Sequence, residues 1–351
     1  MANGIASLIE CGSKIWLDSV DPEQVVKNKA LGITGATSNP SIIAGLIESG
    51  RFDDILLSLA DETVSDEDLA WRMTDHLVRS AQAQFLDTWK QTRGNDGWVS
   101  FELDPLLEDA ANPIPHEQRV ARYIALGKQW AVGHENRMIK VPATPAGLDA
   151  LEELAAAGLT LNVTLIFSPR QYRAARDAVW RGRQRYGQLD TFKSVYSIFV
   201  SRVDIYTGDQ ATDLCEATQG RVGVINAKQI GIENAWFWAD KDLALQQEMI
   251  FASTGKKLDW QAEDYYIGEL AGSDILTNPP ATNAAIESAQ GSYSALSRQL
   301  PGTEVIDEIS QKIDMAQLEA SLMAEGTAKF ADPHKSLIQT IAHKRGALTG
   351  A

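Results

Sequence analysis

Between Lys14 and Asn278, strand-like segments alternate with helix-like ones about eight times, and this alternation limits the fold more than any other feature of the chain. Strand, helix and next strand make a parallel βαβ unit, and eight such units close into a (β/α)8 barrel. The strand segments are Lys14–Val20, Gly32–Pro40, Trp98–Asp104, Arg137–Pro142, Leu159–Phe167, Ser194–Arg202, Met249–Gly255 and Ile275–Asn278. Helical spacing runs through Ser41–Ile47, then from Asp66 to about Arg93 on Leu69, Met73, Leu77, Ala81 and Phe85, and through His116–Gly133. It returns in Ala146–Ala157, closed by Gly158, and from Ser168 to Tyr186. Asp204–Gln247 is a longer, more polar excursion with helices in it, and the chain beyond Asn278 reads as helices. An open doubly wound sheet is the competing fold. It favours a G-x-G-x-x-G turn after the first strand, and the chain has neither that nor a P-loop. With no repeat and no linker, residues 1–351 are expected to form one barrel domain, its additional helices mainly after strand six and at the C-terminus.

Hydrophobic content of 44% and charged content of 23% supply a core and a soluble surface. The formal charge of -15 disfavours nucleic acid and anionic membrane as partners, since both attract basic surfaces. Two cysteines, Cys11 and Cys215, are too few for a disulfide framework or a cysteine zinc site, so a reducing compartment is expected. The first residues lack a signal-peptide pattern, and no run of about 18 apolar residues follows, which makes the cytoplasm the expected location.

The strands differ from ordinary barrel strands in carrying polar residues where branched apolar ones prevail. In Arg137–Pro142, period two puts Ile139 and Val141 on one face and Met138, Lys140 and Pro142 on the other. With helices covering the first face, Lys140 points into the barrel. Burial costs an ammonium its hydration and favours the neutral, nucleophilic amine of a Schiff-base lysine. Asp18, Asn39, Glu102, Asn162, Thr164 and Ser197 recur at inward or tip positions of the other strands. Buried polar groups need partners, so these residues are expected to converge with Lys140 in one network at the barrel mouth. Taken singly, Asp18 and Asn39 also read as capping residues, and Asn162 and Thr164 as partners for backbone groups.

Gly35-Ala36-Thr37-Ser38-Asn39-Pro40-Ser41-Ile42-Ile43 and Ile139-Lys140-Val141-Pro142-Ala143-Thr144 with Gly147 resemble two motifs of the transaldolases. The resemblance extends to Asp18, Ser100-Phe101-Glu102, Asn162-Val163-Thr164 and Ser197-Ile198-Phe199-Val200-Ser201-Arg202, over most of the chain from about residue 14 to 280. It implies a transferase of the non-oxidative pentose phosphate pathway. Such an enzyme carries a dihydroxyacetone unit from sedoheptulose 7-phosphate to glyceraldehyde 3-phosphate on a lysine Schiff base. By the same resemblance, Lys140 is the nucleophile and Asp18 takes the C4 hydroxyl proton. Glu102 and Thr164 hold a proton-shuttling water, Asn39, Asn162 and Ser197 bind the sugar, and Phe199 walls the pocket.

Arg202 is similar to the family's phosphate-binding arginine. In strand seven the chain departs from the common pattern of serine, one residue, then arginine. Its Ser253-Thr254-Gly255-Lys256-Lys257 resembles a longer bacterial branch, which makes Ser253 and Lys257 the phosphate ligands and leaves Lys256 as the alternative to Lys257. No metal and no organic cofactor is implied, the partners are phosphorylated ketoses and aldoses, and a homodimer is left open. A fructose 6-phosphate aldolase that releases dihydroxyacetone is the second reading, against which the 351-residue length weighs. The five histidines, His76, His116, His134, His334 and His343, are expected in helices or loops away from the strand tips.

Overall fold

Eight parallel strands close in chain order in the computed structural model, which describes residues 2–61, 63–272 and 274–349. They are β1 (Lys14–Leu17), β2 (Gly35–Thr37), β3 (Val99–Glu102), β4 (Arg137–Pro142), β5 (Leu161–Ile166), β6 (Ser194–Phe199), β7 (Glu248–Ala252) and β8 (Ile275–Asn278). β1 pairs with β8 from Lys14 opposite Ile275 to Leu17 opposite Asn278, which leaves no free sheet edge. The expected (β/α)8 barrel is the fold observed.

One local device turns several strand tips into helices. Asp21-Pro22, Asn39-Pro40, Thr144-Pro145 and Ser168-Pro169 each set a capping side chain before a proline. The cap oxygen accepts a backbone N–H of the first turn, and proline occupies the position where no donor is needed. Ile139 and Val141 pack outward with the helix-facing core. Met138 faces inward, in a cluster with Trp16, Trp98, Val195, Ile250 and Ile275. Near the strand beginnings the Glu248 carboxylate lies 2.7 Å from Lys14 Nζ and also accepts from Lys193, which is 1% exposed.

Three readings of the strands change. β6 stops at Phe199, because Ser201 starts the helix Ser201–Gln210 and puts Arg202 in its first turn. β7 stops at Ala252, since Ser253 takes a left-handed backbone (φ 56°) that ends the extended run. β5 is irregular: its pairing with β6 shifts between Val163 and Ile166, and Leu165 has φ 57°. Leu165 therefore joins the inner cluster, whereas simple alternation would turn it outward. The excursion after β6 contains helix as expected, and Val222–Trp238 is largely buried.

Additional helices appear after β6, at the C-terminus, and also between β2 and β3, where Asp53–Leu59 precedes Asp66–Gln91. The C-terminal helix, Met315–Thr349, packs on the helices Pro40–Glu48, Asp66–Gln91 and Ser201–Gln210 and on the turn Pro105–Glu108. Lys335–Asp109 (2.9 Å) and Lys344–Asp53 (2.7 Å) pin it there. Among the described residues, no helix is long and apolar enough to cross a membrane.

Candidate active site

Strand register assembles the site. Glu102 on β3 lies opposite Lys140 on β4, and Lys140 lies opposite Asn162 on β5. Lys140 Nζ, on a residue 5% exposed, is 3.1 Å from Glu102 Oε2 and 3.1 Å from the carbonyl oxygen of Ser38. Asn162 Nδ2 donates to Ser100 Oγ (2.8 Å), and Ser197 Oγ donates to Asn162 Oδ1 (2.7 Å). Asp18, just past β1, accepts from Thr37 Oγ1 (2.8 Å), which lies 3.2 Å from Thr277 Oγ1. The sequence-derived residues Asp18, Glu102, Lys140, Asn162, Thr164 and Ser197 thus share one end of the barrel. Thr164 differs from its neighbours: its Oγ1 is buried and has no hydrogen-bond partner. A polar atom in that state marks a place for water or a ligand.

Burial pushes the Glu102 carboxyl up to about 7; the charge and hydrogen bond of Lys140 oppose the rise, and Asp18 adds to it. The Asp18 carboxyl is raised for the same first reason, against Lys140 and Thr37. A carboxyl near 7 can both give and take a proton around neutrality.

Asn39 caps the helix Pro40–Glu48, its Oδ1 accepting from Ile42 N (3.0 Å), and also lines a small cavity with Ser38 and Glu102. Phe199 carries the Arg202 guanidinium 5.0 Å from its ring centre and meets Phe167 at 5.7 Å. Arg202, Ser253 and Lys257 line one cavity of about 280 Å³, and Ser253 Oγ lies 2.9 Å from Ser201 Oγ. Lys256 instead reaches Glu263 (3.1 Å), away from that cavity's lining.

The C-terminal helix supplies what the strand pattern could not reveal. At four-residue spacing Leu322, Gly326, Phe330 and His334 run along one face. Leu322 lines the Arg202 cavity, and Gly326 lies against Leu165 and Arg202. Phe330 sits with its ring centre 5.5 Å from Lys140 Nζ. His334 stacks on Trp71 (4.8 Å) and lines the small cavity beside Glu102, so it is not away from the strand tips as expected. Burial drives its imidazole down to about 4, which keeps it neutral near pH 7. The only sequence signal for these residues is their helical spacing, and that spacing fits any packed helix.

The profile of the transaldolase/fructose-6-phosphate aldolase family matches residues 15–341. A transaldolase of Thermobifida fusca is 31% identical over 99% of this chain and 100% of its own. Transaldolase 2 of Streptomyces coelicolor is 30% identical, covering 97% of this chain and 96% of its own. These likenesses run through every strand of the barrel.

Proposed function

We propose that this chain, which belongs to the transaldolase/fructose-6-phosphate aldolase family, is a transaldolase acting through a Schiff base on Lys140. It would transfer a dihydroxyacetone unit from sedoheptulose 7-phosphate to glyceraldehyde 3-phosphate, giving erythrose 4-phosphate and fructose 6-phosphate. The setting is the non-oxidative pentose phosphate pathway of the cytoplasm, with residues 1–351 working as one domain. The observation that carries the reading is the buried Lys140 Nζ held 3.1 Å from Glu102 Oε2, on the side of the barrel where Asp18 meets Thr37.

In this reading the neutral Lys140 amine attacks C2 of the ketose. The carbinolamine then loses water to leave an iminium ion. Glu102 moves the protons of both steps through a water held with Thr164. Asp18 takes the C4 hydroxyl proton as the C3–C4 bond breaks, the aldehyde departs, and the bonding pair passes into the iminium to give an enamine. The enamine carbon then attacks the acceptor aldehyde, and hydrolysis releases the new ketose. Asn39, Asn162 and Ser197 hold the three-carbon unit, Phe199 walls it in, and Arg202, Ser253 and Lys257 hold the phosphate.

Borohydride reduction in the presence of fructose 6-phosphate tests the covalent step. The expected product is a dihydroxyacetone adduct on Lys140, seen by intact mass and peptide mapping and missing from Lys140→Ala. An unmodified wild-type chain would overturn the mechanism. Free dihydroxyacetone measured with and without erythrose 4-phosphate tests the transfer. Equal release in both, without sedoheptulose 7-phosphate, would make the protein an aldolase.

A further inference from the structure

The cavity at the tips of β6 and β7 is only partly built by the barrel. The strand tips bring Arg202, Ser253 and Lys257 to its lining, the C-terminal helix brings Leu322, Glu325 and Lys329, and Asp209 and Tyr206 line it too. Arg202 Nη1 is buried and has no hydrogen-bond partner, a state a guanidinium tolerates poorly unless an anion completes it. Burial pushes its basicity down, and the charge of Glu325 partly restores it. Gly326 lets the helix approach closely: a Cβ there would come to 3.1 Å from Leu165 Cδ2, a contact that the leucine would have to ease by a few tenths of an ångström, and to 3.6 Å from Arg202 Nη1.

Lys329 is bonded to Glu325, one helical turn away, with both side chains about half exposed. As a helix-surface ion pair it is weak and readily exchanged. It also borders a cavity whose other cations, Arg202 and Lys257, face the same space. The lining therefore holds three cations and two acids, Asp209 and Glu325, and of these Glu325 acts on Lys329 and Arg202.

We propose that Lys329 is a phosphate ligand contributed by the C-terminal helix, and that Glu325 is a built-in competitor for the same cations. In the empty cavity Glu325 neutralises Lys329 and tempers Arg202. A phosphate monoester displaces it, because a dianion with three acceptor oxygens can bond Arg202, Lys257 and Lys329 together. The exchange ties the helix that carries Phe330 and His334 to the strand tips when a phosphorylated sugar is bound. It rests on the reading of Arg202, Ser253 and Lys257 as the phosphate ligands.

Titration calorimetry with inorganic phosphate on the full chain, in phosphate-free buffer, tests it without requiring turnover. Lys329→Ala should weaken phosphate binding about tenfold, the loss of one charge-assisted hydrogen bond. Lys329→Arg should keep most of the affinity, and Glu325→Gln should tighten it severalfold. The KM for fructose 6-phosphate should move in the same directions. Lys329→Ala binding phosphate within twofold of wild type, while Arg202→Ala loses it, would overturn the role of the helix and leave the barrel's phosphate site standing. Arg202→Ala and Lys257→Ala both binding like wild type would overturn the underlying site itself.

Discussion

Replacing Thr164 with valine separates folding from catalysis. The two side chains have nearly the same shape, and Thr164 is fully buried with its hydroxyl unpartnered. No protein hydrogen bond is lost in Thr164→Val. A hydroxyl whose partner is a water contributes at most about 1.5 kcal/mol, so the variant should stay close to wild type in stability. With about 2.1 cal/mol/K of unfolding entropy per residue over 351 residues, a change of that size moves Tm by no more than about 2 °C. Chemistry should move much further. If the hydroxyl holds the water through which Glu102 passes protons, Schiff-base formation slows by about 10²-fold, the lower end for a lost proton-transfer partner. Differential scanning fluorimetry gives the first quantity and single-turnover borohydride trapping the second. A Tm lowered by more than about 3 °C would mean that the hydroxyl is a structural partner. A trapping rate within twofold of wild type would remove Thr164 from the shuttle.

Glu248→Gln should destabilise the fold by about 3–5 kcal/mol, because it strips a buried lysine of its carboxylate, Lys193 being 1% exposed; urea unfolding measures it. Burial pushes the Glu248 carboxyl up, but Lys193 and Lys14 outweigh it and hold it below the usual range. Its contribution is therefore present above the unfolded value and lost as pH falls through the lower folded one, so wild type loses stability on acidification where Glu248→Gln stays flatter. With the Glu102 carboxyl raised to about 7, kcat/KM should climb with pH through that value as the accepting carboxylate forms. Glu102→Gln should be slow and lack this limb, and a limb that persists in the variant belongs to another group. Gly182→Ala should fold poorly, since a Cβ would overlap the carbonyl oxygen of Glu152 where the helices Pro145–Ala156 and Pro169–Tyr186 meet. Wild-type Tm in that variant would show that the helices can part at little cost.

The barrel was legible in the chain because its signals are local. Each strand announces itself over a few residues, and the capping residue with proline at Asn39-Pro40 or Thr144-Pro145 marks where a helix begins. Period two sufficed to aim Lys140 inward, and register then set it opposite Glu102 and Asn162. Parity failed at Leu165, whose left-handed backbone shifts the count by one residue; nothing in Leu161–Ile166 marks that shift. Phe330 and His334 were hidden for another reason. Their partners Lys140 and Trp71 lie far away in sequence, and a 3.6-residue period tells which residues share a face but not what the face will meet.

The C-terminal helix also sets an order of events during synthesis. Every strand of the barrel, and with them Asp18, Glu102 and Lys140, is made before the helix that places Phe330 over the lysine. At about 5–20 residues per second, a 35-residue element takes about 2–7 s to emerge. Until that helix docks, Lys140 lacks the Phe330 ring that covers it in the folded protein. The long-range pairs Lys335–Asp109 and Lys344–Asp53 join residues more than two hundred positions apart, so neither can form before the helix has been made.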